Sequence, residues 1–199
     1  MELCRGGGAG LFEKLQKMPV KLGDIASKLF RGLVTSADDI YFLEPLGKER
    51  SGLVSVHSRA TEKDYEVETA VVKPLCKGSL DARRYAVQPS KRVVFPYDVT
   101  RTRDLRRATL ISPSYFKSHY PRIWAYLEEN KGALAGRENG KMRHDGWYGY
   151  VYPKSIPLFS LSKILTPSIA ARASFSFDSD GEIYFVGSGG GGGGAMALS

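Results

Sequence analysis

Cysteine and histidine are scarce in this 199-residue chain, and their scarcity argues against two kinds of site. The two cysteines, Cys4 and Cys76, do not form a CxxC pair, and a disulfide framework in so large a chain normally uses more of them. The three histidines, His57, His119 and His144, lack the HExxH spacing or a cysteine partner that a zinc site needs. We therefore expect two reduced thiols and no metal site.

Long apolar runs are missing as well. No segment approaches the roughly 20 apolar residues that a membrane helix needs. The first residues, MELCRGGGAGLFEK, lack the apolar stretch of a secretory signal. The sequence therefore predicts a cytoplasmic protein without a membrane partner.

Catalytic motifs are also absent from the sequence. There is no GxSxG motif, and the segment RGGGAG is not followed by the GK[ST] of a phosphate-binding loop. Glu129 and Lys131 match the ExK fragment of a nuclease centre, but they fall inside a predicted helix and lack an upstream Pro-Asp partner. The segment DSDGE, residues 178–182, begins like a calcium loop but lacks the closing glutamate, so a β-turn is expected. We predict no catalytic residues in this chain.

Positive charge is abundant and concentrated. The formal net charge is +8, and ten basic but only three acidic residues lie between Lys73 and Arg107. The remainder is nearly balanced, with 19 basic and 18 acidic residues. Such a field attracts phosphate backbones, acidic lipid or acidic protein. From composition alone, nucleic-acid binding and a solvated basic face without a partner remain the alternatives.

The pattern of apolar residues predicts mixed secondary structure. The segments GLVSVHSR and YEVET alternate apolar and polar residues around a charged turn, which predicts a hairpin. The segment PRIWAYLEENKGALAGRE predicts one long helix from Pro121 to Gly136. Near the C-terminal end, Phe175 and Phe177 alternate on one side of DSDGE, and Ile183 and Phe185 on the other, which predicts a second hairpin.

These elements lack the βαβ rhythm of a parallel sheet. The fold class expected is therefore α+β: a mixed, strand-rich domain with one long helix and several short helices. Residues 1–19 are expected to form a flexible N-terminal arm and residues 20–187 the folded domain, with a possible division near residues 105–115. Residues 188–199 include six consecutive glycines and are expected to be a disordered tail.

Four segments resemble a known family when they are taken in order. They are VKLGDIASKLFRGLVTSADDIYFL, AVVKPLCKGSLDARRYAVQPSKRVVFPYD, YLEENKGALAGRENGKMRHDGWYGYVYPKSI and KILTPSIAARASFSFDSDGEIYFVGSGGGGGG. In this order and spacing they resemble the C-terminal specificity domain of TaqI-like adenine-N6 DNA methyltransferases. The same module occurs in fused restriction-modification enzymes of the type II G kind. The resemblance covers Val20 to Gly194.

The resemblance implies a target recognition domain that reads a short sequence in double-stranded DNA. A separate catalytic domain would bind S-adenosylmethionine and methylate a flipped adenine. The Asn/Asp-Pro-Pro-Tyr/Phe tetrapeptide of that domain does not occur here. We therefore expect two partners, double-stranded DNA and a methyltransferase catalytic domain or subunit, with no cofactor in this chain. An alternative is a specificity subunit that acts mainly by docking to a separate methyltransferase subunit.

The resemblance, together with the positions of the cations, suggests which residues would contact DNA. Those expected at phosphates are Lys73, Lys77, Arg83, Arg84, Arg92, Lys141 and Arg143. Arg31 and Thr35 are expected at the groove edge, and Arg59 and Lys63 within a groove, where arginine pairs bidentately with guanine. Trp147 and Tyr148 are expected to pack on a sugar or to support a neighbouring loop. For each residue the alternative is an inert surface or core role.

Overall fold

The structure is a computed structural model that describes residues 9–77, 81–83, 85–101, 106–167, 169, 172–187 and 193–198. The helices are α1 (Ala9–Gln16), α2 (Leu22–Ile25), α3 (Asp38–Tyr41), α4 (Pro113–His119), α5 (Pro121–Glu129) and α6 (Lys131–Gly140), with 3₁₀ turns at Thr69–Val71 and Ile156–Leu158. The strands are β1 (Ala26–Arg31), β2 (Phe42–Pro45), β3 (Leu53–Ser58), β4 (Lys63–Glu68), β5 (Val72–Cys76), β6 (Ala82–Arg83), β7 (Ala86–Val87), β8 (Lys91–Val94), β9 (Tyr97–Arg101), β10 (Arg106–Leu110), β11 (Lys163–Pro167), β12 (Ser176–Asp178), β13 (Tyr184–Phe185) and β14 (Gly193–Leu198). The α+β class with prominent strands is confirmed.

The main sheet has six strands in the order β13-β5-β8-β2-β3-β4. All neighbours are antiparallel except β13 and β5, which run parallel. The predicted first hairpin is present as β3 and β4, with Leu53 opposite Glu68 and Ser58 opposite Lys63. Because side chains alternate along a strand, one face of this hairpin buries Val54, Val56 and Val67 in the core.

Helix α5 covers one face of this hairpin. Ile123 and Leu127 are fully buried, and the Tyr126 hydroxyl donates to the Ile40 carbonyl oxygen at 2.6 Å. The same hydroxyl lies 2.8 Å from Ser58 Oγ, so the buried phenol is satisfied by polar partners. These contacts fix the helix on the sheet.

The predicted long helix is divided into α5 and α6 at Asn130. Asn130 has φ −94° and ψ 7°, outside the helical region, and its side-chain amide donates to the Tyr126 carbonyl oxygen at 2.9 Å. The backbone leaves the helical conformation again at Arg137, whose ψ is 148°. The helix therefore ends where the sequence placed its end, directly after Gly136, and a tight turn with positive φ follows it.

A second sheet has four antiparallel strands in the order β1-β14-β11-β12. Its inner face buries Phe30 and Leu165. Strand β14 contradicts the predicted disorder of the tail over Gly193–Leu198, because this segment fills the gap between β1 and β11 and can pair with both. The backbone N–H and C=O groups at the edges of both β1 and β11 thereby gain hydrogen-bond partners. Residues 188–192 and 199 of the predicted tail lie outside the described residues.

The predicted C-terminal hairpin is wrong. Strand β12 pairs with β11 in the four-stranded sheet, whereas β13 pairs with β5 in the six-stranded sheet. The burial is also inverted along β12 and the residue before it, where Phe175 and Phe177 are exposed and Ser176 and Asp178 are buried. The turn between the strands therefore carries the chain from one sheet to the other.

Asp178 explains this inversion. Its Oδ1 accepts hydrogen bonds from the backbone N–H groups of Gly181 at 3.1 Å and Glu182 at 3.2 Å, and its Oδ2 accepts from that of Ile183 at 3.1 Å. The carboxylate also pairs with the fully buried ammonium of Lys163. A buried charge that is paired and hydrogen-bonded in this way can stay in the interior. The segment DSDGE is thus a turn organised by its first residue.

Candidate nucleic-acid interface

Two of the predicted groove-reading cations are held by carboxylates of this chain. Arg59 donates to Glu44 Oε1 from Nε at 2.8 Å and from Nη2 at 2.7 Å. Lys63 Nζ lies 2.6 Å from Glu129 Oε1. Contact of either cation with DNA would have to compete with these internal partners. The structure therefore gives no support to Arg59 and Lys63 as free groove contacts.

Three further predicted residues are buried. Thr35 is fully buried, and its hydroxyl donates to Asp38 Oδ1 at 2.6 Å, so its placement at a groove edge is wrong. Trp147 packs against Trp124 with ring centroids 5.6 Å apart. The Tyr148 hydroxyl donates to the carbonyl oxygen of Ile111. Of the two roles predicted for Trp147 and Tyr148, support of a neighbouring loop is the one their burial allows.

Arg31 is hydrogen-bonded within the protein, whereas Lys73 has no ion-pair partner among the described residues. Arg31 Nη2 donates to the Gly187 carbonyl oxygen at 2.9 Å and thereby links β1 to the segment after β13. Lys73 is half-buried on β5, and this burial lowers the pKa of its ammonium. Lys73 forms no ion pair with the described residues, so it remains available to an anion that reaches it.

The remaining predicted phosphate contacts are only partly described. Lys77 is exposed and lies 5.9 Å from the centroid of the Phe42 ring, and Arg92 is half-buried. Lys141 and Arg143 are exposed, and neither has an ion-pair partner within the described part of the chain. Arg83 lies on β6, but its side chain is outside the description, as is the whole of Arg84.

Sequence reasoning missed the structural role of Arg137. Its buried guanidinium donates to four carbonyl oxygens: Leu134 at 2.7 Å, Thr35 at 2.9 Å, Trp147 at 2.6 Å and Gly149 at 2.8 Å. It also lies 5.4 Å from the centroid of the Tyr41 ring. One side chain thus fixes the turn after α6 to two distant segments. No local signal distinguishes this arginine from an exposed one.

A hairpin that the sequence reading did not single out carries three cations of the basic cluster, Arg101, Arg106 and Arg107. Strands β9 and β10 form a two-stranded sheet of their own, with Tyr97 opposite Leu110 and Arg101 opposite Arg106. Its base is closed by a hydrogen bond of 3.0 Å from the Ile111 N–H to the Pro96 carbonyl oxygen. The two arginines therefore lie at the end of the ladder farthest from the core.

The hairpin is amphipathic across its two faces. Tyr97, Val99, Ala108 and Leu110 are partly buried against the core. Asp98, Thr100, Arg107 and Thr109, which alternate with them, are exposed. Isolated hairpins are marginally stable in water, so the packed face is what holds this one in place. The opposite face is free to meet a partner.

A cleft lies at the base of this hairpin. Its volume is about 540 Å³, within the range typical of ligand sites. Asp98 and Thr109 from the exposed face of the hairpin line it, as do Tyr115 and Tyr120. Lys73 and Tyr184 of the main sheet complete it, together with Phe95. Tyr97, Val99 and Leu110 of the packed face also line the cleft, so it lies at the edge between the two faces of the hairpin.

Four apolar residues lie in register across the four-stranded sheet, at positions that alternate with buried Phe30 and Leu165. Leu29 pairs with Met196, Met196 with Ile164, and Ile164 with Phe177. Leu29 is 66% exposed and Phe177 58%. Exposed apolar groups that lie side by side are typical of interaction surfaces. This row forms a second candidate surface, distinct in character from the basic hairpin.

Two other features are absent from the described ranges. Within them no group of three or more His, Cys, Asp or Glu residues is placed to hold a metal ion. None of the described helices combines the length and the apolar character needed to cross a membrane. No family model matches the chain, and a search of curated proteins found no significant match. The resemblance to TaqI-like specificity domains therefore stays a prediction.

Proposed function

We propose that this chain is a sequence-specific double-stranded DNA recognition module of an adenine-N6 methyltransferase in a restriction-modification system, acting in the cytoplasm. The observation that carries the proposal is the β9–β10 hairpin, which places Arg101 and Arg106 opposite each other beyond a packed base. We assign no catalytic step to this chain. Methyl transfer would belong to a separate catalytic domain that binds S-adenosylmethionine.

The dimensions of the hairpin suit a major groove. Five residues on each strand extend roughly 17 Å at the rise of an antiparallel strand. The major groove of B-DNA is about 8.5 Å deep and admits a two-stranded ribbon. The hairpin can therefore place its distal residues at the base edges while its base remains packed on the domain.

The charges support the same placement. Arg101 and Arg106 pair at the distal end of the ladder, and Arg107, next to Arg106, lies on the exposed face. Arginine reads guanine through two hydrogen bonds. Lys77, Lys141 and Arg143 are exposed cations outside the hairpin, and they suit phosphate contacts that fix the orientation of the duplex. Neutralising phosphates releases counterions, so binding should weaken steeply with salt.

A matched pair of triple variants tests the proposal. The first, Arg101→Ala/Arg106→Ala/Arg107→Ala, removes three charges from the hairpin. The second, Arg59→Ala/Lys63→Ala/Arg122→Ala, removes three charges that are already paired with Glu44, Glu129 and Glu66. Both change the net charge equally, so a difference between them reports position and not total charge. Circular dichroism checks that each variant keeps its fold.

Duplex binding is measured by fluorescence anisotropy over a range of salt concentrations. The wild-type chain should bind duplex DNA with a steep salt dependence. The hairpin variant should lose about tenfold or more in affinity, and its slope of log K against log salt should fall by about 2 to 3. The control variant should keep most of the affinity. Equal losses in both variants, or no binding by the wild type at low salt, would overturn the proposal.

A second candidate function is that of a specificity subunit that acts mainly by docking to a separate methyltransferase subunit. The exposed row through Leu29 and Phe177 favours it, because such apolar surface is costly to leave in water. The variant Leu29→Asp/Phe177→Asp should then abolish co-purification with a methyltransferase subunit encoded beside this chain, while the hairpin variant should not. Retained co-purification would exclude the row as the docking surface.

A further inference from the structure

The cleft at the base of the hairpin combines aromatic side chains with polar groups that have no hydrogen-bond or ion-pair partner among the described residues. We propose that it binds a single unstacked nucleotide whose base carries an exocyclic amino group. The inference rests on the proposed function for the source of that nucleotide in DNA, but the site itself can also be tested with free nucleotides. Both sources share the same chemistry, a flat aromatic base linked to an anionic phosphate.

The aromatic wall supplies a surface for stacking. Tyr115 is 47% exposed, and its ring stacks on His119 with centroids 3.8 Å apart and an interplanar angle of 8°. This stacking holds the tyrosine ring in a fixed orientation at the cleft. Stacking of a base on an aromatic side chain typically contributes about tenfold or more to affinity. A fixed ring loses little side-chain entropy when a base packs on it.

Lys73, which also lines the cleft, supplies the group for a phosphate. Lys73 is half-buried and has no ion-pair partner among the described residues, although Glu182 and Glu49 lie near enough to influence it. Arg92 is close enough to disfavour its charged form. An ammonium that is desolvated without a salt bridge gains more from a bound anion than a solvated one does. An anionic phosphate would thus stabilise the charged form of Lys73.

The remaining polar groups select the base. Asp98 is exposed on the hairpin wall, and a carboxylate accepts hydrogen bonds from an exocyclic amine. The hydroxyls of Tyr120 and Tyr184 form no hydrogen bond to the described residues, so they can donate to a ring nitrogen or carbonyl oxygen. This set favours cytosine or adenine over thymine, which has no amino group.

The cleft lies where a DNA duplex bound by the hairpin could supply the nucleotide. Asp98 and Thr109 line the cleft, and Thr100 and Arg107 follow on the same exposed face of the hairpin. A duplex held by the distal hairpin would therefore pass close to the cleft. A nucleotide that leaves the stack at that point could enter without moving the protein.

Two titrations test the inference. In the first, dCMP, dAMP and dTMP are titrated against the full chain by calorimetry. In the second, anisotropy compares a fully paired duplex with one that carries a single unpaired cytosine. We expect dCMP and dAMP to bind more tightly than dTMP, and the bulged duplex to bind about tenfold more tightly than the paired duplex.

Variants assign these effects to the cleft. Tyr115→Ala and Lys73→Met should each lower nucleotide affinity about tenfold and remove the preference for the bulged duplex. Asp98→Asn should remove the discrimination against dTMP. Tyr152→Ala, an exposed tyrosine that does not line the cleft, is the matched control and should change nothing. Equal behaviour of Tyr115→Ala and the wild type in both titrations would overturn the inference.

Failure of the inference can be told from failure of the proposed function. If the wild type binds paired duplex through the hairpin but neither a nucleotide nor the bulge with preference, the cleft proposal is wrong and the DNA proposal stands. If nucleotides bind in the cleft and no duplex binds, the cleft is a nucleotide site and the DNA proposal is wrong. The hairpin triple variant should lose duplex binding and keep nucleotide binding.

Discussion

The guanidinium of Arg137 donates a hydrogen bond of 2.9 Å to the carbonyl oxygen of Thr35, which lies 102 residues earlier in the chain. The same group bonds to the carbonyl oxygens of Trp147 and Gly149. This buried cation therefore joins the turn after α6 to the segment before α3 and to the aromatic segment around Trp147. Its function is to hold the fold together.

Replacing Arg137 should strongly destabilise the protein. Arg137→Met leaves carbonyl groups without donors in the interior, and we expect a loss of about 3 to 5 kcal/mol in the free energy of unfolding. Arg137→Lys should restore only part of it, because an ammonium cannot reproduce the planar fork of donors. Urea denaturation measures both. A loss below about 1 kcal/mol for the methionine variant would show that the four hydrogen bonds contribute little.

A methyl group at Gly32 should also be destabilising. The backbone of Gly32 is so close to Val186 and to the Phe185 carbonyl oxygen that a Cβ atom would overlap them. The hydrogen bond of 2.8 Å from Leu33 N–H to Phe185 would be strained as the chains separate. We expect Gly32→Ala to cost about 2 to 3 kcal/mol.

Gly132→Ala provides the control for Gly32. A Cβ atom at Gly132, in helix α6, would have no heavy atom within 4 Å. Alanine is a better helix former than glycine, so this variant should gain up to about 1 kcal/mol. Thermal unfolding compares the two variants. Similar melting temperatures would contradict the close approach of Gly32 to the segment after β13.

The buried pair of Lys163 and Asp178 predicts an asymmetric response to mutation. Asp178→Asn leaves a buried ammonium without an anion, so we expect a loss of about 3 to 5 kcal/mol. Lys163→Met/Asp178→Asn should recover part of that loss because no unpaired charge remains. Asp180→Asn, an exposed position in the same turn, should change stability by less than about 0.5 kcal/mol. If the double variant is no more stable than Asp178→Asn, the charge is not the cause.

Stability should fall at alkaline pH. Burial raises the pKa of Cys76 from 9.0 to about 12, and it raises the pKa values of Tyr97, Tyr126 and Tyr184 from 10.0 to about 12. The folded protein thus holds these protons more tightly than the unfolded chain. The resulting stabilisation is complete below the unfolded values and is lost as pH rises towards about 12.

Urea denaturation at a series of pH values between 9.0 and about 12 measures this loss. Tyrosinate absorbance, followed in parallel, should rise together with unfolding because the buried phenols ionise only when they are exposed. Cys76→Ala should reduce the first part of the decline, since the unfolded thiol titrates before the phenols. A free energy of unfolding that stays constant over this range would contradict the assigned burial.

Local features of the fold could be predicted from the sequence, and long-range ones could not. The β3–β4 hairpin and the end of the helix at Gly136 depend on neighbouring residues, and both were predicted. The pairing of β12 and β13 with different sheets depends on Asp178 and Lys163, which are 15 residues apart. A pattern of phenylalanines does not reveal that a buried ion pair determines which face is inside.

The same distinction applies to the site. The sequence located the basic cluster, but it did not show that Lys63 pairs with Glu129, 66 residues away. The β9–β10 hairpin left a readable signal, because Tyr97 and Val99 alternate with polar residues and Ala108 and Leu110 do so after the turn. That alternation predicts a hairpin, and it would have favoured Arg107 over Arg59 as a candidate DNA contact.

Selection of binding sites from a pool of random duplexes tests the central proposal most directly. The wild-type chain should enrich a discrete sequence motif, and the variant Arg101→Ala/Arg106→Ala/Arg107→Ala should lose the motif or relax it at defined positions. The matched variant Arg59→Ala/Lys63→Ala/Arg122→Ala should enrich the same motif as the wild type. A pool that stays random with the wild type, or a motif that the hairpin variant selects unchanged, would contradict sequence reading by this hairpin.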